Sequence, residues 1–368
     1  MKAALYDSPK PSPPYLTLTS LSSPVPTAGS IVVKVLASPV LPYAEEIFRG
    51  ERIYPNLLPY VPGGGAVGVV TAVGPDVANP LLQPGTGHLV YCDLTIRARD
   101  DPRSPAIMLQ GISAPDARAQ QVQAVFRHGS WAEEMLVPAE NVFVIPPSIT
   151  LDPATLAALG SVLVPFGGLC DGDICAGATV VITGATGHFG SAAVAAALAL
   201  GARKVIPCGR SERGVAKLIE VFGAQRLAPV VLSGDAEKDK KAIISAAGTG
   251  FEIDVHFDML HPLAPPSLVA TVMSTLRRGG TSILMGGLTT DVPLPYREVL
   301  FKGIVVKGVW MYERRLIPKL LGLVEGGLVD LKMFDVETYK LDDANEAVVA
   351  AAKRNGACQT TVIVCNQV

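Results

Sequence analysis

One stretch constrains the fold more than any other. The β-branched run Val180-Val181-Ile182-Thr183 passes directly into Gly184-Ala185-Thr186-Gly187-His188-Phe189-Gly190, and an alanine-rich helical pattern follows over 191–200. A strand that ends in a glycine-rich turn and opens a helix brings free N–H groups and the positive end of a helix dipole to one point, where a phosphate binds well. Glycine permits the tight turn and lets backbone approach a pyrophosphate closely. A small residue at Gly190 lets helix and strand pack tightly. The spacing is GxxGxxG rather than GxGxxG, and the plain alternative is an ordinary strand-to-helix turn.

The surroundings favour the dinucleotide reading. Strand and helix signals alternate from residue 151: a short helix over 153–159, strands at 178–183, 204–206, 251–257 and 281–285, and helices at 191–200, 212–222 and 266–276. Such alternation implies a parallel sheet with right-handed crossovers. Residues 1–150 differ, with short β-like runs such as 30–36 and 66–73 between recurring Gly and Pro, and a polar stretch at 97–128 that reads as a long excursion. The length of 368 residues exceeds one simple core. The expected division is 1–150 plus 303–368 as a mainly β unit, with 151–302 as a doubly wound parallel sheet. Within the tail, 360–365 reads as a closing strand.

The end of the next strand tests which nucleotide would bind. Where an NAD-binding sheet carries an acid for the ribose hydroxyls, this chain has Cys208-Gly209-Arg210-Ser211. Gly209 removes the carboxylate that would repel a 2′-phosphate, Arg210 offers a planar cation, and Ser211 adds a hydroxyl. Arg213 and Lys217 stand near enough in sequence to help. NADPH is the expected cofactor. Met285-Gly286-Gly287 closes a parallel strand at its carboxyl end, where its backbone is expected to meet the nicotinamide carboxamide.

With that turn placed, nearly the whole chain resembles the medium-chain dehydrogenase/reductase superfamily. The resemblance rests on the opening Met1-Lys-Ala-Ala, on Tyr60-Val-Pro-Gly-Gly-Gly-Ala-Val-Gly68, and on Ala176-Gly-Ala-Thr-Val-Val-Ile-Thr-Gly184. The stretches 92–102 and 311–314 look most like a fungal, alcohol-dehydrogenase-like branch. The resemblance implies a GroES-like mainly β catalytic domain, a Rossmann domain, and hydride transfer in the cleft between them. It also implies metal ligands near residues 41, 64, 65 and 161 in zinc-containing members. Here those positions are Leu41, Gly64, Gly65 and Ser161, none a good zinc ligand. The structural-zinc cysteines are missing as well, since Cys92 stands alone in its region. The chain is therefore expected to be zinc-independent, like the quinone oxidoreductases and enoyl reductases.

Without a Lewis acid, polarisation falls to hydrogen bonds. Reduction of an activated C=C (an enone) or a quinone suits such a site, because the developing enolate needs only a donor and then a proton. Metal-free reduction of a ketone or aldehyde, and a non-redox protein using the bound nucleotide as scaffold, stay open. Candidate donors are Tyr43, Tyr54 and Tyr60, each of which could instead be a packed aromatic. His188 could touch the pyrophosphate or hold a helix start, and His256 reads as a satisfied core histidine. Trp310-Met311-Tyr312 could line a substrate pocket or belong to core or interface.

A net charge of −2 favours neither nucleic acid nor an anionic membrane. Apolar runs are interrupted before about 20 residues, so no membrane-spanning helix is expected. The start of the chain lacks the apolar core of a signal peptide. Six cysteines without close pairing read as reduced thiols of a cytoplasmic protein. Oligomeric state is not written in the sequence; the resemblance implies a homodimer.

Overall fold

The structure, a computed structural model, describes residues 1–366. The chain divides into two compact units. One comprises Met1–Gly160, Phe334–Asn355 and the segment from Gln359; the other comprises Ser161–Met333 with Gly356–Cys358.

The first unit is mostly β. Strands β1 (Lys2–Leu5) and β2 (Thr17–Ser20) form an antiparallel pair. β3 (Ser30–Val40) is the hub, buried along nearly all its length and paired with three other strands within the sheet. The helix α1 (Ala44–Phe48) follows, then β4 (Ala66–Val73) and β5 (Leu89–Cys92). Residues 97–128 are better organised than their polarity suggests. β6 (Thr95–Arg97) pairs with β7 (Ile107–Leu109), and α2 (Ala117–Val125) starts at the Asp116 cap, whose side chain accepts from the Ala119 N–H. Ile96, Met108, Ala114 and Ala119 give this excursion a small core of its own. β8 (Glu134–Pro138) pairs with β3, β9 (Val142–Val144) pairs with β5, and α3 (Pro153–Leu156) closes the segment.

The second unit is built on a parallel sheet. Helix α4 (Leu159–Asp171) leads in. Residues 153–171 are long and apolar enough to cross a membrane by length and composition, and they are mostly buried inside the protein, as a core helix is. Then come β10 (Thr179–Thr183), α5 (His188–Ala199), β11 (Lys204–Gly209), α6 (Glu212–Phe222), β12 (Val230–Val231), α7 (Ala236–Ala247), β13 (Ile253–Asp258), α8 (Ser267–Met273) and β14 (Leu276–Leu284). After α9 (Tyr296–Lys302), β15 (Val305–Gly308) adds an edge strand, and α10 (Leu316–Glu325) follows. Every pairing is parallel, in the order β12-β11-β10-β13-β14-β15. This is the doubly wound Rossmann order, with its reversal at β10.

The dividing line falls elsewhere than the sequence suggests. Residues 303–333 stay with the parallel sheet, because β15 finds its partner in β14, register Thr281↔Val305 to Leu284↔Gly308. The chain returns to the first unit through β16 (Asp335–Lys340), α11 (Ala344–Lys353) and β17 (Gln359–Val364). β17 is the closing strand read over 360–365; it runs parallel to β16 and antiparallel to β3.

Candidate functional site

The glycine turn of the second unit needs its glycines for two different reasons. Gly184 sits at φ +70°, in the left-handed region, and a Cβ there would run into the Met259 carbonyl. A Cβ on Gly190 would collide with the Gly184 carbonyl. Gly187 is different: a Cβ there meets only the Gly184 oxygen, at 3.5 Å, and otherwise open space. Gly187 is also the N-cap of α5, so the N–H groups of His188, Phe189 and Gly190 start the helix without intrahelical partners. Thr183 is fully buried just before the turn, and the Ala185 N–H binds the Cys208 carbonyl at 3.2 Å, tying the turn to β11. His188 does not point freely outward. It is 6% exposed, and its Nε2 lies 2.8 Å from the Ser161 hydroxyl.

At the end of β11, Gly209 is buried against the Thr186 side chain, which a Cβ would strike. A side chain at 209 would therefore have to displace the Thr186 side chain. Ser211 caps α6, its Oγ accepting from the Gly214 N–H at 3.2 Å, which leaves its hydrogen free to donate. Arg210 and Arg213 are both exposed, and neither has an ion-pair or hydrogen-bond partner among the described residues. Lys217, by contrast, is drawn to Glu220 at 2.8 Å. Met285, Gly286 and Gly287 follow β14 at its carboxyl end, and the Gly287 N–H binds the Leu260 carbonyl at 2.8 Å. Of the segment 310–312, Met311 and Tyr312 are buried and Trp310 is exposed. Met311 takes φ +62° while Tyr312 packs so close to α4 that a Cβ on Gly167 would collide with it.

Sequence reasoning left Asp258 without a role. It ends β13 in register with Thr183, is 3% exposed, and accepts from the Thr183 hydroxyl at 3.0 Å and the Leu260 N–H at 3.1 Å. Burial raises its pKa, against the hydrogen bonds from Leu260, Thr183 and Gly286. His256 lies one rung deeper, fully buried, between Thr183 Oγ1 (3.1 Å) and Ser282 Oγ (2.9 Å). Burial lowers its pKa to about 3, so it is neutral, as a satisfied core histidine should be. An acid two residues past a histidine, level with the turn, was the available signal.

The three candidate tyrosines fall into two places. Tyr60 is 1% exposed, edge-on to Tyr6 at 5.7 Å, and burial raises its pKa. Tyr43 and Tyr54 meet edge to face at 6.3 Å, and the Arg52 guanidinium stands 3.9 Å over the Tyr43 ring. Burial, then Tyr54, raises the Tyr43 pKa, with Arg52 opposing.

Residues 61–63, which lead into Gly64-Gly65, are laced to 129–131 by backbone hydrogen bonds: Gly129 N–H to Val61, Ser130 N–H to Gly63 and Trp131 N–H to Pro62. A Cβ on Gly63 would strike Trp131 and Ser130, and one on Gly64 would strike Ile112. Gly65 sits at φ +80°, strained for any side chain. Leu41, Tyr60, Gly64, Ile112 and Trp131 line a cavity of about 20 Å³, room for about one water or methyl. Zinc does not fit these residues. Leu41, Gly64 and Gly65 offer no ligand, the space beside Gly64 belongs to Ile112, and Ser161 is bound to His188. Among the described residues no three His, Cys, Asp or Glu side chains gather as a ligand set.

Comparison with known proteins bears on this geometry. Residues 189–326 match the family described as zinc-binding dehydrogenase, a span that contains none of positions 41, 64, 65 or 161. The chain is 27% identical over 340 residues to an L-threonine 3-dehydrogenase of Vibrio parahaemolyticus, covering 89% of this chain and 90% of that protein. An alcohol dehydrogenase from Thermus sp. shares the fold at TM-score 0.80 and 18% identity, covering 100% of both chains. An acetophenone reductase from Geotrichum candidum in complex with NAD aligns at TM-score 0.73 and 21% identity, covering 99% of this chain and 97% of that one. With its Rossmann strand order and glycine turn, the chain has an alcohol dehydrogenase-like α/β fold, and over most of its length it is similar to these dehydrogenases.

Proposed function

We propose that the protein is an NADPH-dependent reductase that needs no zinc and acts on an activated C=C or a quinone of a small apolar molecule. The observation that carries the cofactor choice is the pair Arg210 and Arg213. Two exposed guanidiniums without partners stand at the start of α6, beside a glycine whose Cβ would not fit. Such a site suits a dianionic 2′-phosphate. Thr183 to Gly190 would hold the pyrophosphate on the first turn of α5, Gly209 to Ser211 and Lys217 the adenosine ribose phosphate, and Met285 to Gly287 the carboxamide. When bound, NADPH supplies the hydride.

The packing around Gly64 supports zinc independence, because the Ile112 side chain fills the space beside it. Hydrogen-bond donors then take over polarisation, and Tyr43, paired with Tyr54 under Arg52, suits that task best. Tyr60 serves as a cavity wall. Metal-free reduction of a ketone or aldehyde is the second reading, favoured by the acetophenone reductase and threonine dehydrogenase among the relatives. Six free cysteines support a reducing, cytoplasmic location. A homodimer is supported by the unpaired edge of β15, where Val305, Val306, Leu300, Phe301 and Trp310 expose apolar surface.

Parallel fluorescence titrations with NADPH and NADH test the cofactor. NADPH should bind at least about tenfold tighter, and Arg210→Ala should remove roughly 2 kcal/mol from NADPH binding with NADH unchanged. Equal affinity in the unsubstituted protein would sink the NADPH assignment. Product analysis with an enone separates the two substrate readings, a saturated ketone against an allylic alcohol. NADPH bound tightly but consumed with no enone, quinone or ketone would leave the non-redox reading.

A further inference from the structure

The carboxyl edge of the parallel sheet carries a buried acid that none of the assignments above uses. Asp258 sits where the strand order reverses, between β10 and β13, the place at which doubly wound sheets bind nucleotides. Thr183, Asp258 and Leu284 are in register across three neighbouring strands, so one carboxylate reaches the ends of all three. Oδ1 accepts from the Thr183 hydroxyl at 3.0 Å and from the Leu260 N–H at 3.1 Å. The Gly286 backbone stands against the carboxylate: a Cβ on Gly286 would collide with Oδ2, and the Gly286 N–H opposes the rise in the Asp258 pKa.

Backbone bonds extend the same construction. The Met259 N–H binds the Thr183 carbonyl at 3.1 Å, and the Gly287 N–H binds the Leu260 carbonyl at 2.8 Å. Gly184 packs so tightly on Met259 that a Cβ would not fit. The result is a continuous backbone ledge from the glycine turn through 259–260 to 286–287. His256 fixes the sense of the hydrogen bonds. With its Nε2–H donating to Thr183 Oγ1 and Nδ1 accepting from Ser282, the Thr183 hydrogen is committed to Asp258. Every partner is satisfied in that arrangement with the carboxylate ionised.

We propose that Asp258 is a positioning residue for the nicotinamide end of the cofactor: it clamps Thr183, Leu260 and Gly286 so that the 285–287 backbone is held ready to meet the carboxamide. The inference rests on the nucleotide reading above. It separates the two ends of the cofactor, because Arg210 and Ser211 lie beyond β11, on the other side of β10 from Asp258.

Asp258→Asn tests it. The amide keeps an acceptor for Thr183 and Leu260 but turns an NH2 toward the Gly286 N–H. NADPH and 2′,5′-ADP, which carries only the adenosine end, are titrated against the full-length protein. NADPH affinity should fall about tenfold or more, and 2′,5′-ADP affinity should stay within about twofold. Equal losses for both would mean a general structural role, and no loss for either would mean no role; each overturns the proposal. If the unsubstituted protein binds neither compound, the nucleotide reading fails and this inference falls with it. Should Asp258→Asn not fold, Thr183→Val takes its place. It should weaken NADPH selectively while Thr183→Ser, which keeps the hydroxyl, restores it to within about twofold. Failure of that rescue would also overturn the proposal.

Discussion

Two of the molecule's glycine-rich turns use glycine in opposite ways. In the second unit, Gly184 and Gly190 bring backbone against backbone, while the position between them, Gly187, faces open space at a helix start. In the first unit, Gly63 and Gly64 are surrounded, and the room their missing side chains would take is filled by Trp131, Ser130 and Ile112. One turn keeps space for something else; the other gives its space to the core. A glycine run in a sequence states only that side chains are missing. Which neighbour claims the vacancy is decided by residues far along the chain.

The sharpest way to break this comparison is to put side chains back on the open turn. Gly190→Val would drive a branched side chain into the Gly184 carbonyl, and the second unit should lose about 3 kcal/mol or more, read as a drop in its thermal unfolding midpoint. Gly187→Ala should cost the fold little, because its φ of −88° suits alanine and nothing crowds the Cβ. It should nevertheless weaken nucleotide binding, since the methyl enters the space where phosphate would lie. A Gly187→Ala protein that binds NADPH as before would show that the open space is not a phosphate site.

Acid should separate the two units next. His256 is held neutral, its pKa lowered to about 3 from an ordinary 6.5. The unfolded chain binds a proton there below 6.5 and the folded one does not. Stability from this group is therefore full above 6.5 and drains away as pH falls toward 3. Asp258 acts in the opposite sense. Its raised pKa adds stability at low pH that is lost as pH rises through its folded value, so it offsets part of the effect. The His256 shift, on a fully buried group, corresponds to several kcal/mol. Calorimetry between pH 6.5 and 3 should show the transition of the second unit falling steeply, and His256→Gln should flatten that slope. An equal slope in the variant would mean that His256 is not the group responsible.

The same contrast explains what could be read in advance. The strand, glycine turn and helix were legible because they are contiguous from Thr179 to Ala199 and each has its own local signal. The absence of ligand side chains at 41, 64 and 65 was legible too, but not what replaced them, since Ile112 and Trp131 arrive from distant strands and loops. The edge strand β15 was placed with the wrong unit because its four residues alternate weakly and only pairing with β14 reveals their home. Helix α2 was missed because Ala119 and Gln123 are its only buried residues and the rest read as polar loop. Asp258 was missed because its meaning lies in register with Thr183, 75 positions away.

The smallest expected effect is on the closed turn. Gly64→Ala adds a methyl that meets the tip of Ile112, a flexible side-chain end rather than backbone. Ile112 is 8% exposed and borders the cavity of about 20 Å³, so its tip, which the added methyl would strike, has room to turn aside. The loss should be about 1 kcal/mol. Gly65→Ala should cost more, because φ +80° strains any side chain whatever the space. If Gly64→Ala instead proves as damaging as Gly190→Val, the first unit's turn is as rigid as the nucleotide turn, and the two do not differ in kind. If Gly64→Ala is neutral and Gly64→His with Gly65→Glu is tolerated, the closed turn can reopen, and zinc titration of that double variant by calorimetry would show whether a metal site can be restored.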